Sequence, residues 1–104
     1  MTDRRTAERH AANVVVGIST SERKDRVAVT SDVSATGLLL HSLSRFAVGE
    51  RVSLVFRTQN VESEATGRVV RAGRDASWHM FPNVSAVELE DAPPDLVPRL
   101  VAGD

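Results

Sequence analysis

Arginine, aspartate and serine residues at short spacings mark two segments of the chain as candidates for binding an anion and a guanine base. The first segment is Arg5-Thr-Ala-Glu-Arg9, and the second is Asp32-Val-Ser34-Ala-Thr-Gly37. A guanidinium group can make two parallel hydrogen bonds to phosphate or to guanine O6 and N7. A carboxylate can accept from guanine N1–H and N2–H, and a hydroxyl can donate or accept. These side chains are therefore suited to non-covalent binding of such groups.

The second segment is more specific than the first. The chain has 13 Lys and Arg among 104 residues, and all but Lys24 are arginine. In such a chain an arginine pair four residues apart is expected about once by chance, whereas the pattern (Asp or Asn)-x-Ser-x-x-Gly is expected about 0.05 times. Most of the information therefore lies in Asp32, Ser34 and Gly37.

Each segment also has a purely structural interpretation. Thr2-Asp3 could cap a helix on which Arg5 and Arg9 share one solvated face. Asp, Ser and Gly are the residues that turns recruit for backbone hydrogen bonds and positive φ, so residues 32–37 could form a turn. The two interpretations of the second segment are compatible, because a turn can also bind a ligand.

Composition narrows the class of protein. A chain of 104 residues is long enough for one domain with a single core. It has no Cys, which removes disulfides and thiol chemistry. His10, His41 and His79 lack the paired spacing of a metal site, and no nucleophile elbow brings Ser, His and Asp together, so we expect neither a metal nor an enzyme. With no apolar run of the ~18 residues that span a bilayer, we expect a soluble, cytoplasmic protein with no membrane insertion.

The apolar pattern after residue 12 is typical of short β-strands. Hydrophobic residues alternate with polar ones or form β-branched runs, and polar turns separate these runs. Six strands are predicted, over residues 14–18, 27–32, 38–41, 52–57, 61–71 and 77–90. We expect a bulge or a bend at Gly67, and Pro82 should break the last strand or lie at an edge. Apolar spacing in residues 93–101 predicts a short helix, with Pro98 in its first turn.

These elements predict an all-β fold, a small antiparallel barrel or sandwich over residues 13–104, preceded by a charged arm of residues 1–12. Asp32 follows Arg9 by 23 residues. That length suits one strand out, a turn and one strand back at about 3.3 Å per residue. The two segments should therefore lie side by side.

Taken together, these residues resemble the PilZ domain, a family of receptors for the bacterial second messenger cyclic di-GMP. The resemblance covers nearly the whole chain. It rests on Arg4, Arg5 and Arg9, on Asp32-x-Ser34-x-x-Gly37, and more loosely on residues 49–52 and 67–71. It implies a six-stranded antiparallel β-barrel with a flexible N-terminal arm and a short C-terminal helix. It also implies that Arg4, Arg5, Arg9, Asp32, Ser34 and Gly37 bind cyclic di-GMP, with no further cofactor.

The function expected from this resemblance is that of a single-domain receptor. The arm, mobile without ligand, would clamp cyclic di-GMP against the barrel, and the changed surface would signal to an unidentified protein partner. The alternative is a PilZ-type adaptor that works by protein contact and binds the nucleotide weakly or not at all. Thr36 leaves room for it, since many members carry a smaller residue there. A nucleic-acid-binding barrel is disfavoured by the net charge of −1 and by scarce aromatic residues.

Overall fold

The computed structural model describes residues 8–58, 60–78 and 80–102, so Arg4, Arg5 and His79 lie outside the described part. Seven strands and one helix occur within it. They are β1 His10–Ala11, β2 Val15–Ser19, β3 Arg26–Val33, β4 Gly37–Ser42, β5 Arg51–Thr58, β6 Val61–Arg74, β7 Asn83–Asp91 and α1 Leu96–Ala102. In β5, every second side chain is buried, from Val52 onward, as expected for a strand with one face on the core.

Six of these strands close into an antiparallel barrel. The order around it is β3, β2, β5, β6, β7 and β4, and β4 pairs with β3 to complete the ring. The predicted six-stranded antiparallel barrel is thus confirmed. The short strand β1 is an addition to it, pairing only with β3 among the described strands.

β1 and β2 pair with the same edge of β3, and Thr30 of β3 bonds with the residues that connect them. Its buried hydroxyl accepts from Val14 N at 2.9 Å and donates to Ala12 O at 2.6 Å. Asn13 Nδ2 also donates to Thr30 O at 2.9 Å. Residues 10–11, which the sequence analysis assigned to the arm, are therefore paired with Val33 and Asp32 of β3. Residues 1–7 of that predicted arm lie outside the described part.

The core fills the barrel and is sealed by the helix. Its largest fully buried side chains include Ile18, Leu40, Leu54 and Phe56. The predicted C-terminal helix is confirmed as α1, and Leu96 and Leu100 of α1 are also buried in this core. Pro98 is the third helical residue, where its missing N–H costs no intrahelical hydrogen bond.

The strand ends differ from the prediction at the β6–β7 connection. The predicted start of the sixth strand at residue 77 was wrong, because β7 begins only at Asn83; Pro82, directly before it, breaks the predicted strand, which is one of its two predicted roles. Residues 75–78 and 80–82 are not in strands. Ser77 N donates to Asp75 Oδ1 at 3.1 Å, and Pro82 has no N–H to donate to a neighbouring strand. Of the bulge or bend predicted at Gly67, the structure has a bulge, between Thr66 and Gly67, with the extra residue on β7.

Candidate functional site

The turn between β3 and β4 is held by the hydroxyl of Ser34. Ser34 Oγ accepts from Gly37 N at 3.1 Å and from Thr36 N at 3.3 Å, and it lies 3.2 Å from Gly37 O, to which it can donate. The backbone adds a bond from Ser34 N to Gly37 O at 2.8 Å. Ser34 is buried, so its side chain serves the turn itself.

Gly37 is required by the neighbouring strand. A Cβ on Gly37 would lie only 2.8 Å from Val87 O of β7. Thr36 O, one residue earlier, accepts from Leu89 N at 2.8 Å. The turn is therefore fastened to β7, and the glycine permits that close approach. This backbone contact accounts for a glycine at position 37 without a ligand, whereas the family resemblance implies that Gly37 contacts the ligand.

Asp32 faces outward because β3 contains a β-bulge. Thr30 pairs with Leu40 and Asp32 with Leu39, which leaves Ser31 as the extra residue. A regular ladder would turn Asp32 to the barrel interior instead. The bulge therefore presents the carboxylate on the surface.

Arg9, the residue directly before β1, forms an ion pair with Asp32. The Arg9 side chain is 62% exposed and that of Asp32 is 23% exposed. The predicted proximity of the two segments is thus confirmed for these two residues, while Arg4 and Arg5 lie outside the described part. The pair combines a cation and a carboxylate that solvent can reach.

A groove of about 290 Å³ runs beside this ion pair on the outer face of the barrel. Its polar lining comes from Arg9, Asp32, Thr36 and Glu88, with Arg71 on the opposite wall. Its remaining lining is mostly small or aliphatic: Val33, Ser34, Gly37, Leu38, Leu39, Val70, Ala86 and Val87. Of the predicted site residues, Arg9, Asp32, Ser34 and Gly37 all meet here.

The sequence did not predict a role for Arg71 or Ser31 in this site. Arg71 lines the groove although it belongs to a segment interpreted only as a strand. Ser31, the bulge residue, lies with its Oγ 2.8 Å from Nε2 of His41 on β4. For Arg71, the only signal in the sequence was the pair Val69-Val70, which interrupts the alternation of apolar and polar residues directly before it.

His41 is buried beneath the β6–β7 loop. Its ring stacks on Trp78, with centroids 3.8 Å apart and planes 11° from parallel. Burial lowers the pKa of His41, and the charge of Asp75 only partly opposes that shift. The neutral ring therefore supports the β3 bulge through Ser31.

The described residues contain no cluster of three or more His, Asp or Glu that could hold a metal ion. His10 lies near Glu8, at 4.0 Å, whereas His41 is enclosed by its stacking partner. In the same part of the chain, no helix is long and apolar enough to cross a membrane.

A family model and a solved structure both match this chain over nearly its whole length. A family model for the PilZ domain matches residues 3–101. Among solved structures, the Bacillus subtilis inhibitor of motility (MotI/DgrA) is similar, with a TM-score of 0.74 and 20% sequence identity. The match covers 96% of this chain but 49% of that protein, so this chain spans about half its length. Among curated proteins, no significant match is found.

Proposed function

The chain belongs to the PilZ domain family, and from that premise we propose that it is a cytoplasmic receptor for cyclic di-GMP that signals through a change of its own surface. One observation carries the proposal: the ion pair between Arg9 and Asp32 joins a side chain from each sequence motif at the edge of a groove. PilZ domains are binding and adaptor domains, and the function proposed here involves no reaction.

The ligand offers a better partner to each member of the ion pair. Cyclic di-GMP carries two anionic phosphodiesters and two guanines. Arg9 would exchange the carboxylate for a phosphate, or for guanine O6 and N7, and Asp32 would accept from guanine N1–H and N2–H. The exchange costs little, because an exposed ion pair contributes only about 0.2–1 kcal/mol.

Ser34 and Gly37 have a different part in the proposed site. The Ser34 hydroxyl already bonds with the backbone of Thr36 and Gly37, and Gly37 lies against β7. They fix the turn that follows Asp32, so that the carboxylate is held ready for the ligand. Arg4 and Arg5, by the family resemblance, would add cations to the Arg9 side of the ligand.

Movement of Arg9 would change the surface next to it. Arg9 is followed directly by β1, which holds to β3 through only two residue pairs. A strand of that length is easily rearranged, because few hydrogen bonds resist the change. The rearranged N-terminal segment with its bound nucleotide is the surface we propose a protein partner recognises.

Calorimetric titration with cyclic di-GMP tests the proposal, with GTP as the control nucleotide. We expect saturable binding of cyclic di-GMP, and its loss or weakening in Arg9→Ala and Asp32→Ala. Arg51→Ala is the matched control, because Arg51 is also exposed but lies on β5, outside the groove. An absence of heat signal and thermal shift at high micromolar cyclic di-GMP would reject the receptor function.

The second candidate is a PilZ-type adaptor with weak or no nucleotide binding, and Thr36 is the observation that favours it. Its exposed side chain lines the groove between Ser34 and Gly37. If that side chain obstructs the ligand, Thr36→Gly should gain affinity for cyclic di-GMP. Equal affinity in Thr36→Gly and the wild type would remove this reason for preferring the adaptor.

A further inference from the structure

Four strands place their side chains in one row across the outer face of the barrel, from Asp32 to Arg71. Asp32 of β3 pairs with Leu39 of β4, Leu39 pairs with Ala86 of β7, and Ala86 pairs with Arg71 of β6. Directly paired residues of antiparallel strands point to the same side of the sheet. A carboxylate and a guanidinium therefore lie at the two ends of a row whose middle is two small or aliphatic side chains, and all four residues line the same groove.

This row exists only because both of its outer strands are bulged. In β3 the extra residue Ser31 brings Asp32 opposite Leu39. In β6, Val69 pairs with Val87 and Arg71 with Ala86, so Val70 is the extra residue. Without the second bulge, Val70 would occupy the row and Arg71 would turn inward. Two independent irregularities thus direct a polar end group into the same groove.

Arg71 is available for a ligand. It is exposed and lines the groove opposite Asp32. It has no ion-pair partner within residues 8–58, 60–78 and 80–102, whereas Arg68 on the same strand pairs with Glu90 at 3.6 Å. The groove also continues past Arg71 into an apolar hollow of about 310 Å³ that shares Leu39 and Ala86 with it.

We propose that Arg71 determines base specificity by donating to O6 and N7 of a guanine that lies on Leu39 and Ala86. Asp32 accepts from the N1–H and N2–H edge of the same base. The inference rests on the function proposed above and extends it to a residue outside both sequence motifs.

The dimensions of the row suit a single purine. Three inter-strand steps of about 4.8 Å place the Cα atoms of Asp32 and Arg71 at most about 14 Å apart, and the curvature of the barrel shortens that distance. Two hydrogen bonds of about 2.9 Å take up part of that span and leave at most about 8 Å, which one base and the ends of two side chains can fill. The aliphatic floor offers a flat, apolar contact to the face of the base.

Charge in the groove favours a base over a phosphate on this wall. Glu88 lines the same groove and pairs in register with Gly37 and Arg68, in the row next to Ala86. Its carboxylate repels a phosphodiester. A guanine is neutral and carries acceptors that match the fork of Arg71.

The test compares variants of the full chain against three ligands by calorimetric titration. The variants are Arg71→Ala, Arg71→Lys and the control Arg74→Ala, which removes an exposed arginine from the same strand outside the groove. The ligands are cyclic di-GMP, its 7-deazaguanine analogue, which lacks N7, and cyclic di-AMP, which presents a donor in place of O6. Thermal unfolding of each variant verifies that the exposed substitution leaves the fold intact.

We expect Arg71→Ala to weaken cyclic di-GMP binding by roughly tenfold or more, with no rescue in Arg71→Lys and no loss in Arg74→Ala. The 7-deaza analogue should bind the wild type several-fold more weakly but lose much less in Arg71→Ala. Discrimination against cyclic di-AMP should fall in Arg71→Ala. Equal losses for all three ligands would mean that Arg71 contacts a phosphate, and an unchanged affinity in Arg71→Ala would mean that it makes no contact. Either result would overturn this inference but leave the proposed function standing. A wild type that binds no cyclic di-GMP overturns the proposed function, and this inference with it.

Discussion

Replacing Gly37 with alanine separates a structural role of the motif glycine from a role in ligand binding. The added Cβ would meet Val87 O at 2.8 Å and Glu88 Cα at 3.9 Å. A carbon and a carbonyl oxygen normally stay about 3.3 Å apart or more, so β4 and β7 must separate by about 0.5 Å. Six residue pairs join those strands and resist the movement. Overpacking of this kind costs about 1–3 kcal/mol of unfolding free energy.

Thermal and denaturant unfolding measure this cost. A loss of 1–3 kcal/mol corresponds to a Tm lower by roughly 4–20 °C in a domain of this size. Gly73→Ala is the matched control, because its Cβ would meet only Val84 Cγ1, at 3.7 Å. Its Tm should stay the same or rise. A Gly37→Ala protein that unfolds like the wild type but no longer binds cyclic di-GMP would refute this reasoning and assign the glycine to the ligand.

Further substitutions test three other parts of the structure. Arg9→Ala and Asp32→Ala should each weaken cyclic di-GMP binding by roughly tenfold or more in calorimetric titration, yet change the unfolding free energy by less than about 1 kcal/mol, because their ion pair is exposed. Burial lowers the pKa of His41, so denaturant titrations should find stability falling as the pH drops below about 6.5, and His41→Asn should flatten that dependence. Thr30→Val should cost about 1–3 kcal/mol in denaturant unfolding, because two buried backbone groups between β1 and β2 lose their partner, whereas the exposed Thr66→Val should cost under about 0.5 kcal/mol.

The direction of the pH effect follows from the neutral state of His41. The unfolded chain takes up a proton at His41 near pH 6.5, while the folded protein, with its lower pKa, does so only at more acidic pH. Stability is therefore complete above that pH and is lost as the pH falls. Asp75 acts in a separate range, because hydrogen bonds from Ser77 lower the pKa of its carboxyl below the usual 3.8. A stability that is flat from pH 7.5 to 5.5 would contradict the account of His41.

The barrel was predictable because its signals are local. Val52, Leu54 and Phe56 occupy every second position of β5, and the structure buries all three. The start of β7 was not predicted, because Trp78 and Phe81 read as strand residues although they belong to a loop. Trp78 instead stacks on His41, a contact that sequence alone does not reveal.

Some residues of the site were likewise predictable from the sequence and others were not. Ser34 and Gly37 act within one turn, so their spacing is visible in the sequence. Arg71 reaches the groove only through its register with Ala86, which depends on a bulge in β6. A bulge depends on the register between two strands that are distant in sequence, and the pattern of residues along one strand does not reveal that register.

The two bulges also have a consequence for how the chain avoids misfolding. A barrel that formed without the β3 bulge would turn Asp32 inward opposite Leu38, and one without the β6 bulge would turn Arg71 inward opposite Ser85. Either alternative buries an unpaired charge, at a cost of several kcal/mol. The charged side chains offered to the ligand thus also penalise the mispaired barrels, so that neutralising them would widen the set of strand pairings available to the chain as it folds.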